Sequence, residues 1–108
     1  MTFDETVSVV IPYYNGGKLI AEALDSVAAQ TFRAHEIIVV DDGSKPEQAQ
    51  ILDDVARGRD RVIVVHLERN RGACVARNVG ISRATGRWIA LLDCDDLWEP
   101  RKLERQME

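Results

Sequence analysis

No apolar run in this sequence approaches the ~20 residues that a membrane-spanning helix requires, so no span is expected. The opening residues Met1-Thr2-Phe3-Asp4-Glu5 lack the positive and apolar regions of a signal peptide. A cytoplasmic location is therefore expected, with the cytoplasmic face of the membrane open to a longer protein. Cysteine is scarce. Cys74 and Cys94 have neither CxxC nor zinc-ligand spacing, which leaves two free thiols in a reducing compartment. Basic residues are outnumbered 14 to 18, and a net charge of −4 argues against a nucleic-acid partner. Repeats, low-complexity tracts and linkers are missing too. A single domain over residues 1–108 is expected, burying roughly 60–70% of its unfolded surface without a disulfide.

What the chain does have is four short apolar runs separated by helical patterns. The runs are 7–11 (Val-Ser-Val-Val-Ile, stopped at Pro12), 36–40, 61–66 and 87–92. They are rich in β-branched residues and nearly continuous, as in strands of a sheet covered on both faces, usually a parallel one. Between them, Ile20, Leu24 and Val27 share one face of a helix over 17–30, and Ile51, Leu52, Val55 and Ala56 share one over 46–57. Ser44 is a plausible cap for the second helix and Pro46 an acceptable early residue in it. A third helix over 72–84 would bury Cys74, Val75, Asn78, Val79 and Ser82, with Gly80 permitting close approach to the sheet. A fourth starts near Glu99-Pro100. Trp88 and Trp98 are read as core or near-core residues. The alternation predicts an α/β fold: an open, mostly parallel sheet with helices on both faces.

Ligands bind such sheets beyond the carboxyl ends of the strands. Three polar clusters fall there: Pro12-Tyr13-Tyr14-Asn15, Asp41-Asp42-Gly43-Ser44 and Asp93-Cys94-Asp95-Asp96. A tyrosine in the first offers a ring face for a flat heterocycle. In the second, one aspartate would serve the turn while the other faces the cleft and accepts from base N–H groups or ribose hydroxyls. In the third, crowded carboxylates repel one another, and a hard cation such as Mg2+ or Mn2+ relieves that repulsion while holding phosphates. The small side chain of Cys94 between them needs no reactivity to explain it. Asn70-Arg71-Gly72 opens the third helix, and with Arg77 it makes a helix amino end that attracts anions. His66 has no base, nucleophile or metal-ligand neighbour in sequence and would cap or pack at its strand end. Together these groups specify a nucleoside diphosphate.

The motifs 7–15, Gln30-Thr31-Phe32, 36–44, Asn70-Arg71-Gly72, 76–80 and Leu92-Asp93-Cys94-Asp95-Asp96, with Trp98, Pro100 and Leu103, resemble family 2 glycosyltransferases of the GT-A fold. The likeness runs in order over nearly the whole chain. It implies the Rossmann-like half of that fold, binding a nucleoside-diphosphate sugar, with a UDP-sugar the first expectation and Mn2+ or Mg2+ as cofactor. By the same resemblance, Pro12 and Tyr14 line the base pocket and Asp42 bonds the base edge. Asp93 bonds the ribose, Asp95 holds the metal with Asp93 and Asp96 in support, and Arg71 and Arg77 lie beside the donor. The acceptor, whether glycan, lipid or protein, is not specified.

In that family the general base comes from the second half of the catalytic domain. Up to Glu108 there is no later acidic base motif and no Gln-x-x-Arg-Trp segment. A donor-binding portion with little or no turnover of its own is therefore expected, with an open sheet edge inviting self-association. Two other readings compete. A haloacid dehalogenase-type phosphoryl transferase would use Asp93 and Asp95, but Leu97 stands where that motif wants Thr or Val. A non-catalytic nucleotide-binding module, or a receiver-like domain built on Asp41-Asp42, is the other; a receiver needs an aspartate after the third strand, where His66-Leu67-Glu68 stand.

Overall fold

Each β-branched run forms a strand, and each amphipathic stretch between them coils into a helix. The computed structural model describes residues 5–107. Residues 1–4, read above for a signal peptide, and residue 108, the end of the last expected helix, lie outside the described residues. In chain order the elements are β1 (Val7–Tyr13), α1 (Leu19–Ala28), β2 (Glu36–Asp41), α2 (Pro46–Ala56), β3 (Val62–His66), α3 (Ala73–Arg83), β4 (Trp88–Leu91) and α4 (Lys102–Gln106). The strands form one sheet in the order β3-β2-β1-β4, and every pairing is parallel.

β1 runs two residues further than expected, through Pro12. The last bond to β4 is donated by the Leu92 N–H to the Val10 carbonyl, whereas Tyr13 accepts from Asp42 on the β2 side. The nitrogen of Pro12 thus faces the side β4 has already left, where a missing N–H costs no ladder bond.

Alternation along β1 and β2 builds two apolar layers. Val7, Val9, Ile11, Tyr13, Ile37 and Val39 face α1 and α2, meeting Ile20, Leu24, Val27, Leu52 and, from α4, Leu103. Ile38 and Val40 face the other way, onto Ala76 and Val79 of α3. Helices therefore cover both faces. The buried face of α3 is only partly the one expected: Cys74, Asn78 and Ser82 are exposed and Ala76 is buried instead, whereas Val79 packs and Gly80 approaches the sheet as expected. The cause is closeness, since a Cβ on Gly80 would collide with Val10 Cγ1. Only small residues fit that contact.

Full coverage holds for the two central strands and fails at the edges. Ile63 of β3 and Trp88, Ile89 and Leu91 of β4 are all exposed. The strand order puts β3 and β4 outermost, and a run's composition does not reveal that it lies at an edge. Trp88 is accordingly no core residue. Its indole N–H donates to Glu5 Oε2 at 2.9 Å, and the Arg87 guanidinium lies 5.7 Å from the ring centre. Trp98 does pack against the larger core layer.

Candidate functional site

Four parallel strands deliver their carboxyl ends to one edge, and the loops that leave them enclose a cleft of about 450 Å3. Pro12 and Tyr14 enter it from the end of β1, Asp42 from β2, Gly72 and Arg77 from the start of α3, and Asp93, Cys94 and Asp95 from β4. Residues more than 80 positions apart thus share one wall, as the strand-end argument required. Arg71 and Asp96 do not line it. Arg71 borders a groove with His66, Glu68 and Arg69, and Asp96 borders another with Leu97, Trp98 and Lys102. That second groove shares Arg77 and Asp93 with the cleft.

The two tyrosines divide their tasks. Tyr13 is fully buried and its hydroxyl donates to the Gln48 carbonyl of α2 at 2.7 Å. Burial, then the charge of Asp41, pushes its phenol above the ordinary range, so it stays a donor. Tyr14 is 52% exposed at the mouth of the cleft. Asn15 follows with a positive φ of 49°, a conformation asparagine tolerates better than most residues. Its N–H donates to Ser44 Oγ at 2.9 Å, and its Oδ1 accepts from the Lys45 N–H at 2.9 Å. This corrects the reading of Ser44 as a helix cap. Lys45 holds the capping position of α2 without a side-chain bond, and Ser44 ties the two loops together.

Asp41 and Asp42 also part company. Asp41 Oδ1 accepts from the Ser44 N–H at 3.0 Å and so serves the turn. Asp42 borders the cleft, yet its carboxylate is already engaged. Oδ1 accepts from the Arg71 N–H at 2.8 Å; Oδ2 accepts from the Gly72 N–H at 2.9 Å and Asn70 Nδ2 at 2.8 Å. The donors immediately ahead of α3, expected to await a ligand's anion, are met by the chain's own aspartate. Gly43 makes this possible: its φ is +71°, and a Cβ there would strike the backbone of Arg69 and Asn70. Sequence spacing held no sign of this staple, because it joins residues about 30 apart.

After β4 the chain turns tightly, with the Asp96 N–H donating to the Asp93 carbonyl at 3.0 Å. Asp93 Oδ1 pairs with Arg77 Nη2 at 3.0 Å, so the arginine expected beside the donor also orients an aspartate. Burial pushes the Cys94 thiol upward, reinforced by Asp95 and Asp93. It remains protonated, as its reading as a small spacer implied. Among the described residues, no three His, Cys, Asp or Glu side chains gather as a ready metal cage. Carboxylate oxygens at Asp93 and Asp95 nonetheless suit a hard ion that takes its other ligands from phosphates and water.

His66 was expected merely to cap or pack. Its Nδ1 lies 2.7 Å from Asp41 Oδ2 and its Nε2 2.8 Å from Asp53 Oδ1. Burial disfavours the imidazolium, but the hydrogen bonds to Asp41 and Asp53 and their charges outweigh it and raise the pKa above the ordinary histidine value. The parallel register that sets Asp41 beside His66 was the one available signal.

The family model for Glycosyl transferase family 2 matches residues 8–108. TuaG of Bacillus subtilis (strain 168), named as a teichuronic acid biosynthesis glycosyltransferase, is 44% identical over 94% of this chain and 40% of its own length. A crystal structure of S. aureus TarS 1-349 in complex with UDP-GlcNAc superposes with a TM-score of 0.79 at 34% identity, covering 94% of this chain and 30% of the 1-349 chain. The mannosyltransferase PcManGT from Pyrobaculum calidifontis, in complex with GDP-Man and Mn2+, gives 0.81 at 30% identity, over 93% and 30% of the two chains. The chain thus spans well under half the length of these relatives. Its strand order and helix placement are those of the Rossmann-like half of a GT-A fold, and it belongs to glycosyltransferase family 2.

Proposed function

We propose that this chain is the donor-binding part of a glycosyltransferase and takes a nucleoside-diphosphate sugar, a UDP-sugar by first choice, with Mn2+ or Mg2+. The observation that carries the reading is the single cleft shared by Pro12, Tyr14, Asp42, Arg77, Asp93 and Asp95. The complexes of TarS with UDP-GlcNAc and of PcManGT with GDP-Man support it.

In this reading the exposed Tyr14 ring stacks on the base, with Pro12 at its flank. A carboxylate has about four acceptor positions. Asp42 spends three on residues 70–72 and keeps one for a base N–H. Asp93, steadied by Arg77, accepts from a ribose hydroxyl, and the guanidinium lies ready for phosphate oxygens. Asp95 holds the ion with Asp93, and Asp96 supports the turn. Arg71, outside the cleft, contributes its backbone N–H to Asp42 and a positive charge nearby rather than a direct contact. When bound, the divalent ion neutralises charge on the departing diphosphate. Transfer to an acceptor hydroxyl also needs a general base, which we assign to the remainder of a longer protein. The 108-residue chain then binds donor with little or no turnover.

Calorimetric titration with UDP, GDP and dTDP, each with and without Mn2+, tests this. At least one should bind, and binding of none overturns the proposal. Asp95→Ala should remove the gain from metal, about tenfold in Kd, without moving Tm, because the residue is exposed.

A further inference from the structure

We infer that His66 is a positioning residue for the donor cleft, which it holds through an unbroken run of hydrogen bonds from β3 to the loop carrying Tyr14. The inference rests on the proposed donor site and assigns it a support that touches no ligand. The run begins with the imidazole between Asp41 Oδ2 and Asp53 Oδ1, at 2.7 and 2.8 Å. The other oxygen of Asp41 accepts from the Ser44 N–H at 3.0 Å. Ser44 Oγ accepts from the Asn15 N–H at 2.9 Å, next in sequence to Tyr14, and Asn15 Oδ1 accepts from Lys45 at 2.9 Å. Asp41 also precedes Asp42, so both proposed base contacts, Tyr14 and Asp42, are next in sequence to members of this run.

The chemistry of the clamp demands a charged ring. Ionised carboxylates only accept, and a neutral imidazole has one N–H to donate. Only the imidazolium serves Asp41 and Asp53 at once; loss of its proton sets a lone pair against one of them. The groups around the ring are Asp41 on β2, Asp53 on α2, and Glu68, Arg69 and Arg71 on the following loop. The upward displacement of the His66 pKa agrees with the geometry. Protonation therefore tightens the Asp41 end of the run, and deprotonation frees Asp41 or Asp53. By reciprocity, a nucleotide that prefers the tightened cleft must itself favour the protonated ring.

An NMR pH titration of the 108-residue chain, free and with UDP and Mg2+, decides the matter. In the free protein the amides of Asn15 and Ser44 should titrate with the same midpoint as the His66 ring. Nucleotide affinity should fall about threefold as pH rises through that midpoint, and UDP should raise the midpoint by about half a unit, the equivalent of that coupling. His66→Gln should abolish this pH dependence. Amides of Asn15 and Ser44 that ignore the His66 titration overturn the inference, and so does an unchanged affinity profile in His66→Gln. Should no nucleotide bind at any pH, the donor reading falls, while the amide titration still decides the relay.

Discussion

Glu36 opens β2, and Asp42 follows directly on its last residue; both are buried carboxylates, each with three hydrogen-bond donors around it. Glu36 Oε2 accepts from Ser8 Oγ at 2.6 Å and from the N–H and hydroxyl of Thr85. Asp42 accepts from Asn70, Arg71 and Gly72. The difference lies in their surroundings. Glu36 is enclosed by β1 and the turn after α3, far from any strand's carboxyl end, whereas Asp42 borders the cleft. A buried acid with satisfied oxygens is structural by default, and an open side is what adds a ligand to its duties.

Substitutions at three positions sharpen that contrast, taken from the largest effect down. Glu36→Ala should lower unfolding stability by about 2–3 kcal/mol, because charged hydrogen bonds are lost and buried donors orphaned. Nucleotide Kd for the folded fraction should stay unchanged; denaturant melts and calorimetry on one sample check both. Glu36 also sets an acid limit. Burial raises its pKa, but bonds from Ser8 and Thr85 prevail and lower it. Its contribution is present above the ordinary glutamate value of about 4.3 and lost as pH falls through the lower folded value. Glu36→Gln should flatten the acid limb of the stability profile.

Asp42→Ala should cost less stability, about 1–2 kcal/mol, since water can reach Asn70 and Arg71 once the carboxylate is gone. Unlike Glu36→Ala, it should also weaken nucleotide binding, by about tenfold. A loss of stability alone would make Asp42 a second Glu36. Tyr14→Ala should do the reverse and leave Tm within a degree while weakening nucleoside affinity about fivefold, with or without metal, for roughly 1 kcal/mol of stacking. An unchanged affinity for uridine, measured by calorimetry or fluorescence, would remove the ring from the site.

Much of this could be read in the residues. The β-branched runs announce the four strands, although β1 continues past the expected stop at Pro12, and the rule for strand ends then brings distant polar clusters together. What stayed hidden depends on contacts across the fold. The engagement of Asp42 by residues 70–72 and the Ser44–Asn15 bond require two loops to meet. The exposure of Trp88 and Leu91 requires knowing that β4 lies outermost. The burial of Ala76 on α3 is passed over by hydrophobic periodicity because alanine contributes little surface, whereas the close approach at Gly80 was legible.

The first strand made is the middle of the sheet, and both its neighbours come later, at residues 36–41 and 88–91. During synthesis its second flank therefore stays without β4 until residues 88–91 have been made, and pairings so distant in sequence form slowly. The strand that supplies that flank, β4, leads straight into Asp93 and Asp95. Pairing of β4 with β1 and delivery of the acidic loop to the sheet's edge are thus coupled by chain continuity.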